Sequence, residues 1–367
     1  MGAPFPYIEV TGTHHEVGRQ IGEAAADLVA RGLAYYESSY PVLAGMTFAA
    51  AVDRARSYLA PAQVWAPQLV DQLRGLAEGA GVPFEYLFAV NCTEEFTCTM
   101  ESTSDPAGTS PRDEHCTSFA FVHGGRTYAG HNEDWYPGDI ENLVLRRVTL
   151  TGGMRYIAMC PAAALPMTAM NGRGIVSTAT TLYSHDERVG APNAFILASL
   201  HESHTLEEAR ARVEEAPRAR ASGHLLCDES GRIWGLETTG SRVAFIDGGQ
   251  RLAHTNHYVS PALAPDDASG AEGTHKRLAR ATELLDEGLA SANPGGAEGA
   301  AQAVALAQSV LTDHANAPLS ICAHWDDGDP DLDQSVTTAS MVWDLSERAV
   351  HVALGQPCEH EYLTYNL

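Results

Sequence analysis

The chain has 367 residues, 44% of them apolar, and a formal charge of −24 from 47 acidic and 23 basic residues. That length allows one large domain or two ordinary ones, with enough apolar side chains for a substantial core. The acidic excess repels a phosphate backbone and leaves no basic stripe for counterion release, so nucleic acid and anionic membrane surfaces are excluded as natural partners. No apolar run is long enough to span a bilayer, and the opening MGAPFPYIEV lacks a basic segment followed by an apolar stretch, so the expected location is cytoplasmic.

In chain order, YIEV is expected as a short strand, followed by one long amphipathic helix on which Val17, Ile21, Leu28 and Tyr35 share a face. A further helix carries Leu69, Leu73 and Leu76 and stops at Gly79 to Gly81, and PFEYLFAVNCTEEF starts another with proline in its first turn. Residues 101–113, ESTSDPAGTSPRD, have the composition of an exposed loop. The pattern then changes to strands. CTSFAFV and TYAGHNEDW flank a Gly-Gly turn, NLVLRRVTL and MRYIAMC flank another, and NGRGIVSTATTL is a turn feeding a strand. TLEEARARVEEAP begins a helix with a capping box of Thr205 and Glu208. GHLLCDESGRIWGLETTGSRVAFIDGG reads as three antiparallel strands, THKRLARATELLDEGL and GAAQAVALAQSVLTDH as helices, and SVTTASMVWDLSERAVHVALG as a last hairpin. APDDASGAEG and LASANPGGAEGA are expected as surface loops, and no internal repeat is present. Hairpins with helices before and between them indicate an α+β layered fold.

Seven cysteines, at positions 92, 98, 116, 160, 227, 322 and 358, are scattered and include no CxxC pair. This argues against a disulfide framework and against a structural zinc site built on thiolates, leaving each cysteine as a small buried hydrophobe with one catalytic exception allowed. Cys116 is that exception, because it heads a strand directly after the loop-like stretch. If the chain is cut between His115 and Cys116, the new α-amine, with a pKa of roughly 7.7–8.0, can accept the proton of its own residue's thiol. The thiol would first attack the His115 carbonyl, shift the acyl group from nitrogen to sulfur, and let water release the chain.

HCTSFAF…GRTYAGHNEDW resembles the autoprocessed cysteine region of the peptidase C45 family, the isopenicillin N acyltransferase-like N-terminal-nucleophile (Ntn) hydrolases. It is similar also to their bile-salt hydrolase and acid ceramidase relatives. The resemblance extends to EVGRQIGE, MNGRGIVSTATTL, AHTNHY and GQPCEHEYLTYNL and so spans most of the chain. It implies a four-layer αββα sandwich, with residues 1–115 and 116–367 as the two products of autocleavage, remaining associated as one Ntn hydrolase domain. It also implies an enzyme that cleaves, or transfers the acyl group of, a linear amide in a small N-acyl or peptide-like molecule through a Cys116 thioester. Asp134, in the Asn132 to Trp135 segment, matches the aspartate that holds the nucleophile's amine, and Asn256 matches the asparagine that donates to the oxyanion. The chain departs from bile-salt hydrolases in having His131 three positions before the aspartate and Thr181 in place of an asparagine, and DQSVTTASMVW lacks the acyltransferase's arginine. His131, Trp135, Tyr136, Thr181 and His257 are the candidate substrate-binding residues.

Two other readings stay open. Clustered His254, His257, His314, His324, Asp313 and Asp326 could serve a metallohydrolase, although no HExxH motif occurs and DDGDPDLD lacks the order of an EF-hand loop. The chain could also be a noncatalytic binding protein on an inherited hydrolase fold. No glycine-rich phosphate loop is present, so no nucleotide cofactor is implied, and no cofactor or metal is expected.

Overall fold

Thr13 starts the first helix with a reciprocal cap. Its hydroxyl accepts from the Glu16 N–H, and the Glu16 carboxylate accepts from the Thr13 N–H at 2.8 Å. The structure, a computed structural model, describes residues 6–98, 116–268, 272–292, 295–324 and 335–367. His115, the loop-like stretch 101–113 and Asp326 lie outside the described residues.

After β1 (Tyr7–Gly12), the amino-terminal part contributes α1 (His14–Ala24), α2 (Ala26–Leu43), α3 (Phe48–Trp65), α4 (Pro67–Ala80), α5 (Phe84–Val90) and the single turn α6 (Glu94–Thr97). The single long helix expected from Val17 to Tyr35 is two helices, because the backbone leaves helical geometry at Ala25. The bend resets the buried face to Val29, Leu33, Tyr36 and Tyr40, leaving Leu28 and Tyr35 only partly buried. Helix α4 ends as expected at Gly81, whose φ of 68° is the left-handed cap. Helices α1 and α4 touch backbone to backbone: a Cβ on Gly18 would sit 1.9 Å from the Gln72 carbonyl oxygen, and one on Gly75 would sit 2.1 Å from that of His15.

Strands follow: β2 (Thr117–His123), β3 (Arg126–Trp135), β4 (Leu143–Leu150), β5 (Arg155–Pro161), β6 (Thr168–Asn171) and β7 (Ile175–Thr181). Helices α7 (Asn193–Leu200) and α8 (Leu206–Glu215) precede β8 (Ser222–Asp228), β9 (Ile233–Thr238), β10 (Val243–Asp247) and β11 (Arg251–His254). Helices α9 (Glu272–Ser291) and α10 (Gly296–Leu311) then lead to β12 (Val336–Asp344), β13 (Ala349–Leu354) and β14 (Leu363–Asn366). The expected loop LASANPGGAEGA is mostly helix, since α9 runs to Ser291 and α10 begins at Gly296. The last hairpin gains β14 as a third strand. At α8 the Thr205 hydroxyl accepts from the Glu208 N–H as expected, but the Glu208 carboxylate turns to the His204 N–H, so the box closes one residue early.

The strands form an eight-stranded sheet, β1-β4-β5-β6-β7-β8-β9-β10, and a six-stranded sheet, β11-β2-β3-β12-β13-β14. Hydrophobic alternation decides the layers. Ala120, Ala129, Met341 and Trp343 of the smaller sheet pack on Leu145, Ile157, Met159 and Leu225 of the larger, forming the inter-sheet core. On the same strand as Ala120, Phe119 and Phe121 point the other way and pack with Ala281, Leu285, Ala307 and Val310 of α9 and α10. The outer face of the larger sheet is covered by Val17, Ile21, Leu73 and Phe88 of the amino-terminal helices, and by Leu197, Leu206 and Val213 of α7 and α8. This is the four-layer αββα sandwich that the resemblance implied. Strand β1 joins the larger sheet by parallel pairing with β4, from Tyr7 opposite Leu145 to Gly12 opposite Leu150. Among the described residues, no helix is long and apolar enough to cross a membrane.

Candidate active site

The β2–β3 hairpin turns through Gly124 and Gly125, with φ of 58° and 75°, values that glycine adopts without steric cost. The turn sets Thr117 opposite Asn132 and Ser118 opposite His131, which brings Cys116, one residue before β2, alongside the end of β3. Its Sγ accepts from the Asp134 N–H and faces the Asp134 carbonyl oxygen, both at 3.5 Å. Period-two alternation along β3 separates two sets of side chains. His131 and Glu133 lie on the Cys116 side, and the ring nitrogen, carboxylate oxygen and sulfur are all within 4.8 Å of one another. Asn132 points to the helical side, where its amide donates to the carbonyls of Leu311 and Ile321.

Asp134 is fully buried, and neither of its carboxyl oxygens has a hydrogen-bond partner among the described residues. Burial pushes its pKa up to about 7, against the pull of the Thr337 hydroxyl, the Arg277 guanidinium and His131. The Thr337 hydroxyl acts from close by without reaching hydrogen-bond geometry. A buried carboxyl with unfilled acceptor sites, on the residue whose main chain faces the Cys116 sulfur, is suited to receive an ammonium group.

Asn256 is held from both ends. Its Oδ1 accepts from Arg277 Nη2 at 3.1 Å, and its Nδ2 donates to the Thr181 carbonyl at 3.1 Å. Because the guanidinium can only donate, it fixes the amide's orientation, with Nδ2 directed away from Arg277. Arg277 is itself buried on α9, and its Nη1 donates to the Cys116 carbonyl at 2.8 Å and to the Thr117 hydroxyl at 3.2 Å. One guanidinium therefore ties the cysteine and the asparagine together. The sequence reading missed it, although Thr274, Arg277, Ala281 and Leu285 share the buried face of their helix, so an arginine at an apolar-face position was the available signal.

Cys116 lines a small cavity whose walls include Glu94, Glu133, Trp135, Met167 and Thr181. Two further small spaces share Trp135 and Met167 with it. Glu94, also missed, is anchored by Arg220 at 2.6 Å and by the Asn193 amide at 2.7 Å. Of the candidate substrate-binding residues, Trp135 and Thr181 line the cavity. His131 lies behind it, bonded to Glu133 at 3.0 Å and to the Ser118 hydroxyl at 2.7 Å. Tyr136 is buried with its ring centroid 4.7 Å from that of Trp135 and lines none of these spaces. His257 is turned to the Thr274 hydroxyl at 2.9 Å and to the His275 ring, and burial, with His275 and His254 adding to it, pushes its pKa down to about 4.

The histidines considered for a metallohydrolase are dispersed. His254 bonds to Glu237 and the Thr180 hydroxyl, and Asp313 pairs with Arg280, whereas His314 and His324 meet each other away from Cys116 beside two cysteines.

Residues 122–359, nearly two thirds of the chain, match the family described as acyl-coenzyme A:6-aminopenicillanic acid acyl-transferase. The chain belongs to this family. The matched span contains Asp134 and Asn256 and begins just after Cys116. Membership makes the chain an enzyme of acyl transfer at amide bonds. Among solved structures it is similar to penicillin V acylase from Agrobacterium tumefaciens, with 16% identity and a TM-score of 0.45 over 65% of this chain and 83% of that one. It is also similar to a variant of conjugated bile acid hydrolase from Clostridium perfringens, with 13% identity and a TM-score of 0.44 over 69% of this chain and 97% of that one.

Proposed function

We propose that the chain is an autoprocessing N-terminal-cysteine amidohydrolase, cut between His115 and Cys116, that opens a linear amide in a small N-acyl or peptide-like molecule. The observation that carries this reading is the Cys116 residue on the cavity wall, with Asp134, whose buried carboxyl is unpartnered among the described residues, donating its N–H to the Cys116 sulfur, and the Asn256 amide tied to the Cys116 carbonyl through Arg277.

In processing, the Cys116 sulfur attacks the His115 carbonyl carbon and the peptide nitrogen leaves as the α-amine. Water then hydrolyses the thioester, giving a carboxylate on His115 and a free amino terminus at Cys116. In turnover the α-amine takes the thiol proton and the sulfur attacks the substrate carbonyl. Asn256 Nδ2 donates to the oxyanion, an interaction worth about 2.7–4 kcal/mol where it has been removed from other enzymes. The α-ammonium delivers its proton to the leaving nitrogen, and Asp134 holds that ammonium in place. Water resolves the acyl-enzyme, and capture by an amine would make the same intermediate an acyl transfer. Hydrolysis is favoured because no arginine stands where the acyltransferase relatives use one for substrate. Trp135 and Met167 offer an apolar wall to an acyl chain, while Glu94 and Glu133 offer acceptors to the polar part.

Sequencing of the purified protein should give a second amino terminus reading CTSFAF, with Cys116→Ala remaining one chain. Hydroxylamine added during turnover of N-acyl amides or β-lactams should divert product to the hydroxamate. Normal processing of Cys116→Ala would reject self-cleavage, and turnover without a trappable acyl-enzyme would reject the thioester.

A further inference from the structure

Four side chains from three separate parts of the sequence converge near the surface beyond the end of α10. His314 follows that helix, Cys322 and His324 precede β12, and Cys358 lies between β13 and β14. Their ligand atoms all lie within 4.8 Å of one another. His314 Nε2 is 3.0 Å from His324 Nε2, which is itself 3.5 Å from Cys322 Sγ and 3.1 Å from Cys358 Sγ, and the two sulfurs are 3.7 Å apart.

Hydrogen bonding does not account for this arrangement. A single imidazole nitrogen carries one proton or one lone pair, yet His324 Nε2 has three polar neighbours within 3.5 Å. Nor is it a disulfide, since bonded sulfurs lie about 2.05 Å apart. Tetrahedral zinc, with Zn–S of about 2.3 Å and Zn–N of about 2.0–2.1 Å, would separate its ligands by about 3.8 Å between sulfurs, 3.5 Å between sulfur and nitrogen and 3.3 Å between nitrogens. The observed separations follow that pattern. The donors suit zinc also in kind, as two thiolates neutralise the dication and two neutral imidazoles complete the shell. The other ring nitrogen of His324 faces the Glu359 carboxylate at 3.6 Å, the side on which metal-bound histidines are usually oriented by a carboxylate.

We propose that His314, Cys322, His324 and Cys358 bind one structural zinc ion. Four protein ligands leave no open position for chemistry. The ion's task is to fasten the segment after α10 to the connection between β13 and β14. That segment supports the catalytic side of the smaller sheet. The Ile321 carbonyl accepts from Asn132, and Ala323 exchanges hydrogen bonds with Thr337, the residue opposite Asp134. The sequence hid the site because the two cysteines stand 36 positions apart and join no local motif.

The test uses the full chain without a histidine tag, reduced and equilibrated with zinc chloride, then desalted. Mass-spectrometric metal analysis should find about one zinc per chain, and at least about a fivefold loss in Cys358→Ser and in His314→Ala. Cobalt chloride added to metal-stripped protein should give the intense visible bands of tetrahedral coordination with thiolate charge transfer, lost in Cys322→Ser. Circular dichroism of the two exposed-side variants, Cys358→Ser and His314→Ala, would show that the loss is not unfolding. Equal zinc in wild type and variants, no uptake by the reduced wild type, or a Cys322–Cys358 disulfide that persists under reductant and zinc would each overturn the proposal. None of these outcomes depends on the identity of the nucleophile.

Discussion

In the proposed reaction Asp134 and Arg277 act through charge held out of water, and each makes a distinct prediction. Lifting a buried acid's pKa from 3.8 to about 7 means that below pH 4 the folded and unfolded chains are both protonated and burial costs little. Between those values the unfolded chain releases the proton first, so stability falls as pH rises, and above about 7 the full penalty remains. In the uncleaved Cys116→Ala background, Asp134→Asn should therefore melt higher than its parent at pH 8, by on the order of 1–3 kcal/mol, with the gain shrinking towards pH 4. Parallel melting curves across that range would show that Asp134 is not held at an unfavourable charge. On the proposed mechanism Arg277 is a positioning residue, because it would reach the reaction through the Asn256 amide and the Cys116 carbonyl, to which it is bonded. Arg277→Met frees the amide to flip, so kcat of processed enzyme should fall about 100-fold with KM little changed, and Arg277→Lys should recover part of the loss. A rise in KM with kcat intact would place Arg277 in substrate binding instead.

Helices α1 and α4 show how an element is placed by what it lacks. Their axes approach so closely that glycine is required on both sides, which fixes the angle at which the amino-terminal helices cover the larger sheet. Gly75→Ala should cost about 2 kcal/mol or more in denaturant unfolding, because the added Cβ meets the His15 carbonyl and outweighs the gain of about 1 kcal/mol in helix propensity. Gly152→Ala, in the open turn between β4 and β5, should stay within about 0.5 kcal/mol. Equal effects at the two sites would mean that the helices separate without cost.

For the whole molecule, a cut before Cys116 should change connectivity but not shape. The amino-terminal part supplies β1 to the larger sheet through six paired positions with β4, and buries Val17, Ile21, Leu73 and Phe88 against it. Both the ladder and the apolar face would be exposed if the pieces parted, at about 25 cal/mol for each Å² of apolar surface uncovered. The two fragments should co-elute in size-exclusion chromatography and resolve only in denaturant, and their separation in native buffer would contradict the shared sheet.

The sequence by itself determined the elements and the nucleophile candidate. Hydrophobic period, Gly-Gly turns and a lone cysteine at a strand head are local signals, and the resemblance carried Asp134 and Asn256 with them. Local signals also misled: the phase change at Ala25 made two helices of one, since apolar spacing does not record a bend. Only the tertiary structure decided what meets across long separations. Arg277 lies 161 positions from Cys116, and Glu94 reaches the same cavity wall from the other side of the proposed cut. His314, Cys322, His324 and Cys358 become a cluster only when α10, β12 and β13 are packed. The reason is physical: a side chain's period along its own strand or helix reveals which face is buried, whereas its partner is set by the register and stacking of elements distant in sequence.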